Sequence, residues 1–257
     1  MGVLEAIIFG IVEGVTEFLP ISSTGHLILT ARLLGFSQSE FLKSFEITIQ
    51  LGAILSVIVL YGKTLLREPQ AWARVAAAFI PTAVMGFVFY NVTKNYFFEN
   101  AHIVLWSLFL GGLFLIVFDS RHDETRSSID GVSNIPYRTA VLIGLFQSLS
   151  IIPGVSRAAA TIIGGLMFGI KRKTIVEFSF LLAVPTMLAA TGYDMLKTAP
   201  SFSPDQCVFL AVGFVTSFIV AMLSIKFFLR FIQKNNLIAF GVYRMALALL
   251  WFAWLGW

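Results

Sequence analysis

Two carboxylates, Glu13 and Glu17, stand four residues apart in an otherwise apolar stretch near the start of the chain. Residues at this spacing share one face of a helix, so the two side chains lie side by side. Like charges in apolar surroundings are costly unless a divalent cation or a cationic side chain such as Arg157 offsets them. The alternative is that both carboxylates simply face water. The pair predicts a site that attracts positive charge.

Hydroxyl groups and an imidazole follow after Pro20, where Ser22, Ser23 and Thr24 precede His26. Ser23 and His26 are three residues apart and are therefore neighbours on a helix surface. This arrangement suits nucleophilic or acid–base chemistry. The simpler interpretation is that Ser and Thr begin a helix and that His26 is a buried polar residue with its hydrogen bonds satisfied. Both interpretations stay open at this point.

A second polar group, Ser156, Arg157 and Thr161, interrupts another apolar region. Guanidinium and hydroxyl groups at the N-terminus of a helix are suited to binding phosphate. An arginine buried there without an anion would be costly. The two polar groups together predict a phosphate-binding centre.

The composition indicates that lipid surrounds most of the protein. Of the 257 residues, 58% are hydrophobic and only 12% are charged, which excludes an ordinary soluble domain. The single Cys207 and three scattered His offer no disulfide and no zinc-type ligand set. We interpret the net charge of +4 as a topology signal and expect no nucleic-acid partner.

The hydropathy pattern predicts an all-α polytopic membrane protein with about six transmembrane helices and two re-entrant helical hairpins. The hairpins, residues 3–34 and 139–170, are apolar regions broken by proline and polar residues, and each leg is too short to cross a bilayer. The predicted spans are residues 44–62, 75–92, 102–119, 177–196, 206–225 and 237–256.

Basic residues predict the orientation. With both hairpins re-entrant, twelve Lys and Arg fall on one side of the membrane and only Arg32, Lys43, Lys94 and Lys197 on the other. The side with twelve is expected to be cytoplasmic, which places both termini outside.

A repeat divides the single membrane domain, residues 1–257, into two halves, residues 1–119 and 138–257, joined by a cytoplasmic loop at 120–137. Pro20 pairs with Pro153 and Ser23 with Ser156 at an offset of 133, while Glu13 matches Gln147 at 134. A hairpin and three spans per half require the second half to be inverted, which places a site at the midplane. Gln147, and Gln50 on the first span, are weak candidates for lining a cavity; hydrogen bonding between helices is the alternative for Gln50.

The segment from Glu13 to His26 resembles the first signature of the bacitracin-resistance family of undecaprenyl-diphosphate phosphatases, and Pro153-Gly154-Val155-Ser156-Arg157 through Thr161 resembles the second. Ala158 departs from it, because the family has Ser there. The resemblance implies removal of the terminal phosphate from a C55 polyprenyl diphosphate. It also implies a multi-pass protein of the bacterial cytoplasmic membrane whose site opens to the outer face, and a divalent cation, Mg²⁺ or Ca²⁺.

The resemblance further implies the functional positions. We expect Glu13, Glu17, Ser23, His26 and Arg157 to act in catalysis, with Glu13 and Glu17 also holding the cation, and Ser156, Arg157 and Thr161 to bind the phosphate. From their place at the start of the second leg, we add Ser22 and Thr24 to the phosphate-binding groups. Ser23 activated by His26 is one candidate nucleophile, and direct attack by water is the other. The expected partners are the lipid substrate, membrane lipid and, as one oligomeric state, a second copy of the chain.

A polyprenyl-phosphate flippase or another inverted-repeat transporter is the alternative function. Broken helices that meet at the midplane are a transporter architecture, and fold alone does not decide between the two classes. Release of inorganic phosphate by the purified protein in detergent, where no compartments exist, would distinguish them.

Overall fold

A computed structural model describes residues 1–37, 39–92, 101–197 and 202–255. Ten α-helices and three short 3-10 turns, with no strand, make up this part of the chain, which confirms the predicted all-α class. The helices are α1 (Val3–Thr16), α2 (Ser23–Leu33), α3 (Glu40–Arg67), α4 (Pro69–Val92), α5 (Ala101–Arg121), α6 (Tyr137–Ser148), α7 (Arg157–Met167), α8 (Arg172–Lys197), α9 (Pro204–Ile232) and α10 (Ile238–Leu255).

Five of these helices, α3, α4, α5, α8 and α9, are long and apolar enough to cross a membrane. They extend beyond the predicted spans because their polar flanks continue the helix. The sixth predicted span corresponds to α10, which has 18 residues and is shorter than the other five; residue 256 lies outside the described residues. The chain is a multi-pass membrane protein.

Each broken apolar region forms two short helices that pack on each other, α1 with α2 and α6 with α7. These helices have 14, 11, 12 and 11 residues, so each is at most about 21 Å long and cannot cross a hydrocarbon core of about 30 Å. We call residues 17–22 the first tip and residues 149–156 the second tip. Each tip contains a backbone conformation with positive φ, at Ser22 (71°) and Gly154 (91°).

The main packing of the two halves is reciprocal. Helix α1 packs on α9 of the other half, and its counterpart α6 packs on α4; equivalent spans pair as α3 with α8 and α5 with α10. Glycines allow the close approach, since a Cβ on Gly10 would lie 2.8 Å from the Gly213 carbonyl and one on Gly14 would lie 2.8 Å from the Ser217 carbonyl. Because α1 and α6 each pack on a helix of the other half, both tips lie at the interface between the halves.

Polar contacts link the end of α5 to the starts of α8 and α10. The Asp119 carboxylate accepts a hydrogen bond from the Leu237 amide and contacts Arg172 at 2.8 Å. Lys171 contacts Asp130 at 2.9 Å, and this hydrogen bond holds the pKa of the Asp130 carboxyl below its usual value. These contacts bring together several of the loops for which the sequence predicts a cytoplasmic location, because they carry most of the Lys and Arg residues. Of the four basic residues predicted for the other side, Lys94 lies outside the described residues.

Candidate active site

The two tips touch through a chain of polar contacts. Ser23 Oγ donates a short hydrogen bond to Glu17 Oε2, and Glu17 Oε1 lies 3.1 Å from Arg157 Nη2. Arg157 Nη1 donates to the Ser179 carbonyl at 3.0 Å. The side chains of Glu17 and Arg157 are only 5% and 9% exposed. The structure thus brings the acid of one hairpin to the guanidinium of the other, as the sequence analysis expected.

Glu13 is fully buried one turn before Glu17 on α1. Its neighbours include Glu17, Glu46 of α3 and, with opposite charge, Arg157. Neither of its carboxylate oxygens has a hydrogen-bond partner among the described residues. A buried carboxylate without donors is costly, so this position is suited to a ligand that supplies positive charge.

Ser22 and Ser156 act as helix caps, which was the alternative left open for the hydroxyls of the first hairpin. Ser22 Oγ accepts from the Gly25 amide at 3.4 Å, and Ser156 Oγ accepts from the Ala159 amide at 3.1 Å. Ser156 Oγ also donates to the Leu19 carbonyl of the first tip at 3.5 Å. Thr24, in contrast, is partly exposed in the first turn of α2. The Ser156 hydroxyl therefore joins the tips as well as capping α7.

Thr161 and Gln147 lie in a separate buried cluster. Thr161 Oγ1 is 3.1 Å from Gln147 Oε1 and 2.9 Å from the Arg157 carbonyl, one helical turn beyond the second tip. Gln147 Nε2 donates to Thr82 Oγ1 at 3.1 Å and to Thr186 Oγ1 at 3.0 Å. These contacts hold α6 and α7 against α4 and α8. The structure gives Gln50 only a partly buried position on α3.

His26 does not form the predicted pair with Ser23. Its Nδ1 lies 2.7 Å from the Ser22 carbonyl, and its Nε2 lies 2.8 Å from the hydroxyl of Tyr243 on α10. Because a carbonyl only accepts, Nδ1 carries a proton, and Nε2 shares its hydrogen bond with the tyrosine hydroxyl. Both ring nitrogens are thus engaged by groups other than Ser23, whose proton is directed at Glu17.

Tyr243 and Arg244 were missed as site residues. The Tyr243 ring stacks on His26 with a centroid distance of 5.6 Å, and Arg244 is a fully buried neighbour of both tips. No motif near the end of the chain resembles the two signatures. The one available signal was an arginine within an apolar segment, which indicates a functional position by its cost.

The first turns of α2 and α7 begin at the two tips, so the positive ends of two helix dipoles lie in the same region as Arg157. The first tip also carries Phe18, whose ring meets Phe180 edge to face at 5.4 Å and closes the apolar side. Fold and site together define an integral membrane protein with a buried polar centre between two broken helical hairpins.

Comparison with known proteins gives the same class. The family model described as bacitracin resistance protein BacA matches residues 6–250. The chain is 50% identical to an undecaprenyl-diphosphatase of Aquifex aeolicus, over 97% of both chains. It is also 50% identical to one of a Sulfurihydrogenibium species, over 99% of this chain and all of the relative. A relative of the same name from Wolinella succinogenes is 47% identical over 99% of both. The chain belongs to the BacA family.

Proposed function

We propose that this chain hydrolyses undecaprenyl diphosphate to undecaprenyl phosphate and inorganic phosphate. The observation that carries the proposal is the buried contact of Glu17 with Arg157 across the two tips. The names of the relatives identify the substrate class. The reaction returns the lipid carrier to peptidoglycan synthesis, and the family description connects it with bacitracin resistance.

Arg157 and the start of α7 are proposed to bind the diphosphate. The Nε of Arg157 is buried and has no partner among the described residues, so one N–H group remains for a phosphate oxygen. A planar guanidinium can bridge Glu17 and phosphate at once, whereas a lysine ammonium cannot reproduce this geometry. Thr24, Ser22 and Ser156 would add hydroxyl or amide donors at the two helix starts. For Thr161 we propose an indirect role through the backbone of Arg157.

Glu13 and Glu17 are proposed to hold the divalent cation. The unpartnered oxygens of Glu13 and the hard carboxylate donors fit Mg²⁺ or Ca²⁺. In the described part of the chain, no group of three or more His, Cys, Asp or Glu side chains forms a metal site. Two carboxylates completed by substrate phosphate and water are the usual set for Mg²⁺, so we favour Mg²⁺. When bound, the cation would offset the charge that develops on the phosphate oxygens.

Two routes are open for the displacement. In the first, Ser23 Oγ attacks the terminal phosphorus, its proton passes to Glu17, and the bond from phosphorus to the bridging oxygen breaks to release undecaprenyl phosphate; water then hydrolyses the phosphoseryl group. In the second, water attacks directly, with Glu17 or His26 taking its proton. We favour the first, because the Ser23 hydroxyl already donates to Glu17. A chiral thiophosphate substrate gives retention by the first route and inversion by the second.

The function is tested by phosphate release from C55 diphosphate in detergent. We expect release by the wild type, loss of release with a chelator and recovery with Mg²⁺, and a loss of at least about 100-fold in Ser23→Ala, which lacks the hydroxyl that donates to Glu17. An inactive wild type would contradict the proposal. It would then favour a flippase or transporter, which needs compartments on both sides. Full activity in chelator would remove the cation from the account.

The location is proposed from the charge distribution and the resemblance. The chain would lie in the bacterial cytoplasmic membrane with the polar end near Asp119 and Asp130 inside. Both termini and the opening of the site would then face outward. Reaction of the exposed Cys207, on α9, with a membrane-impermeant thiol reagent in intact cells tests this orientation.

A further inference from the structure

Arg244 is a fully buried arginine on α10, with 1% of the residue exposed. Its guanidinium donates to four backbone carbonyls: those of Leu108 at 3.4 Å, Ser107 at 3.0 Å, Pro20 at 3.3 Å and Gly154 at 3.0 Å. No carboxylate is among its hydrogen-bond partners in the described part of the chain. A positive charge therefore sits inside the protein, and backbone carbonyls are its hydrogen-bond partners among the described residues.

Two of these carbonyls belong to the two tips. Pro20 lies in the first tip and Gly154 in the second, at the points where the helices are broken. Nη1 binds the first tip and Nη2 binds the second, while Nε and Nη2 also bind α5. One rigid, planar group thus sets the distance between the tips and ties both to a transmembrane helix.

Space for this guanidinium is made by glycine on α5. A Cβ on Gly111 would collide with Nη2 of Arg244, and one on Gly112 would lie 3.1 Å from the Arg244 Cβ. A buried, unpaired charge is costly, and an amide such as Gln could donate to one or two carbonyls without that cost. All the N–H groups of a guanidinium are needed only if several carbonyls from different segments must be bound at once.

We propose that Arg244 is a positioning residue for the reaction, holding the two tips in the register that lets Glu17, Ser23 and Arg157 act on one diphosphate. This inference rests on the proposed function. Arg244 itself contacts backbone carbonyls, so it acts through the tips. Its positive charge, next to Pro20 and Gly154, also favours the binding of an anionic substrate.

The test compares Arg244→Lys and Arg244→Gln with the matched variants Arg32→Lys and Arg32→Gln, since Arg32 is an exposed arginine at the end of α2. For each protein, kcat and KM for C55 diphosphate and the melting temperature are measured in detergent. We expect kcat per folded molecule to fall about 100-fold in Arg244→Lys and further in Arg244→Gln, because a 1 Å displacement of catalytic groups has an effect of this size. The Arg32 variants should match the wild type.

A purely stabilising residue would give a different result. Melting temperature would fall in both Arg244 variants, while kcat and KM per folded molecule would stay at the wild-type values; that result would overturn the proposal. Failure of both variants to fold would also assign Arg244 to stability and overturn it. If only Arg244→Gln fails to fold, the kinetics of Arg244→Lys decide.

A binding measurement separates this inference from the proposed function. Methylenediphosphonate, which cannot be hydrolysed at its bridge, is titrated into wild type and Arg244→Lys by calorimetry with Mg²⁺ present. We expect binding to be about 10-fold weaker in the variant, since the groups that meet the two phosphonates no longer converge. An inactive wild type would count against the proposed function alone, whereas equal binding of the diphosphonate would count against the role of Arg244.

Discussion

The two hairpins are built alike but satisfy their polar groups differently. Glu13 of α1 and Gln147 of α6 occupy corresponding places in the repeat, and both are fully buried. Gln147 is hydrogen-bonded through its amide to three threonines, whereas neither oxygen of Glu13 has a partner among the described residues. At this pair of positions, the side chain of the second hairpin is hydrogen-bonded within the protein, and that of the first hairpin is not.

The same contrast holds at the tips. At the repeat offset, Ala159 stands where the first hairpin has His26, and Arg157 stands where it has Thr24. The first hairpin therefore carries the acids, the hydroxyl and the imidazole, while the second carries the guanidinium on a well-satisfied support. Under the proposed function, the first hairpin would serve chemistry at some cost in stability, and the second would serve positioning and phosphate binding.

Arg157→Lys is expected to have the largest effect. We predict that kcat/KM for C55 diphosphate falls by about 10²–10³-fold, because a point charge cannot bridge Glu17, the Ser179 carbonyl and a phosphate at once. Steady-state phosphate release measures this loss. The control is Arg172→Lys, at the start of α8, where the arginine pairs with Asp119. Near wild-type turnover in Arg157→Lys would break the assignment of the second hairpin.

Glu13→Gln should separate activity from stability. We expect activity at saturating Mg²⁺ to fall about 100-fold because a proposed cation ligand is lost. In chelator and at alkaline pH, where the Glu13 carboxyl is ionised, the variant should unfold at a higher denaturant concentration than the wild type, with a gain of about 1 kcal/mol, because a buried charge without donors is removed. The control is Glu5→Gln on the same helix. A less stable Glu13→Gln protein would show that the first hairpin is not strained by this carboxylate.

Gln147→Leu should show the opposite pattern. Removing the amide leaves the hydroxyls of Thr82, Thr161 and Thr186 with fewer partners, so we expect a loss of about 1–3 kcal/mol in unfolding free energy. Activity of the folded protein should change by less than about 10-fold, since Gln147 contacts Thr161 and does not itself contact Arg157 or Glu17. Gln50→Leu is the matched control. A loss of activity as large as that of Glu13→Gln would mean that the two hairpins share the chemistry equally.

Tyr243→Phe should have the smallest effect. It removes one hydrogen bond to His26 Nε2 and leaves the ring stacking in place. We expect a fall in kcat of about 3–10-fold, the scale of one neutral hydrogen bond. Tyr137→Phe, in the polar loop region, is the control. A kcat equal to that of the wild type would show that the Tyr243 hydroxyl does not influence the reaction through His26.

Much of this arrangement could be predicted from the sequence. Hydropathy indicates the spans, and the proline-containing breaks indicate the tips. The spacing of Glu13 and Glu17 and the buried Arg157 point to one centre, because each needs a partner of opposite charge. Local sequence patterns could not predict the contacts that α10 makes with the two hairpins. Arg244 reaches the tips and Tyr243 reaches His26 through the packing of α10 on α5, which no local pattern predicts.

The hydroxyls were the least predictable group. Ser22 and Ser156 each have a local use as a cap, and Thr161 has a long-range partner in Gln147. Nothing in the sequence ranks these uses against phosphate binding, because one hydroxyl both donates and accepts. The tertiary structure decides which hydroxyls remain available, and Ser23, joined to Glu17, is the one directed at an acid.

The most direct test of a single centre shared by two hairpins is a double-mutant cycle of Glu17→Gln and Arg157→Lys, read as kcat/KM for C55 diphosphate. If the two residues act as one unit, the double variant will be no more than a few-fold worse than the worse single variant. Losses that multiply in the double variant would mean that Glu17 and Arg157 act at independent places, which would contradict the account.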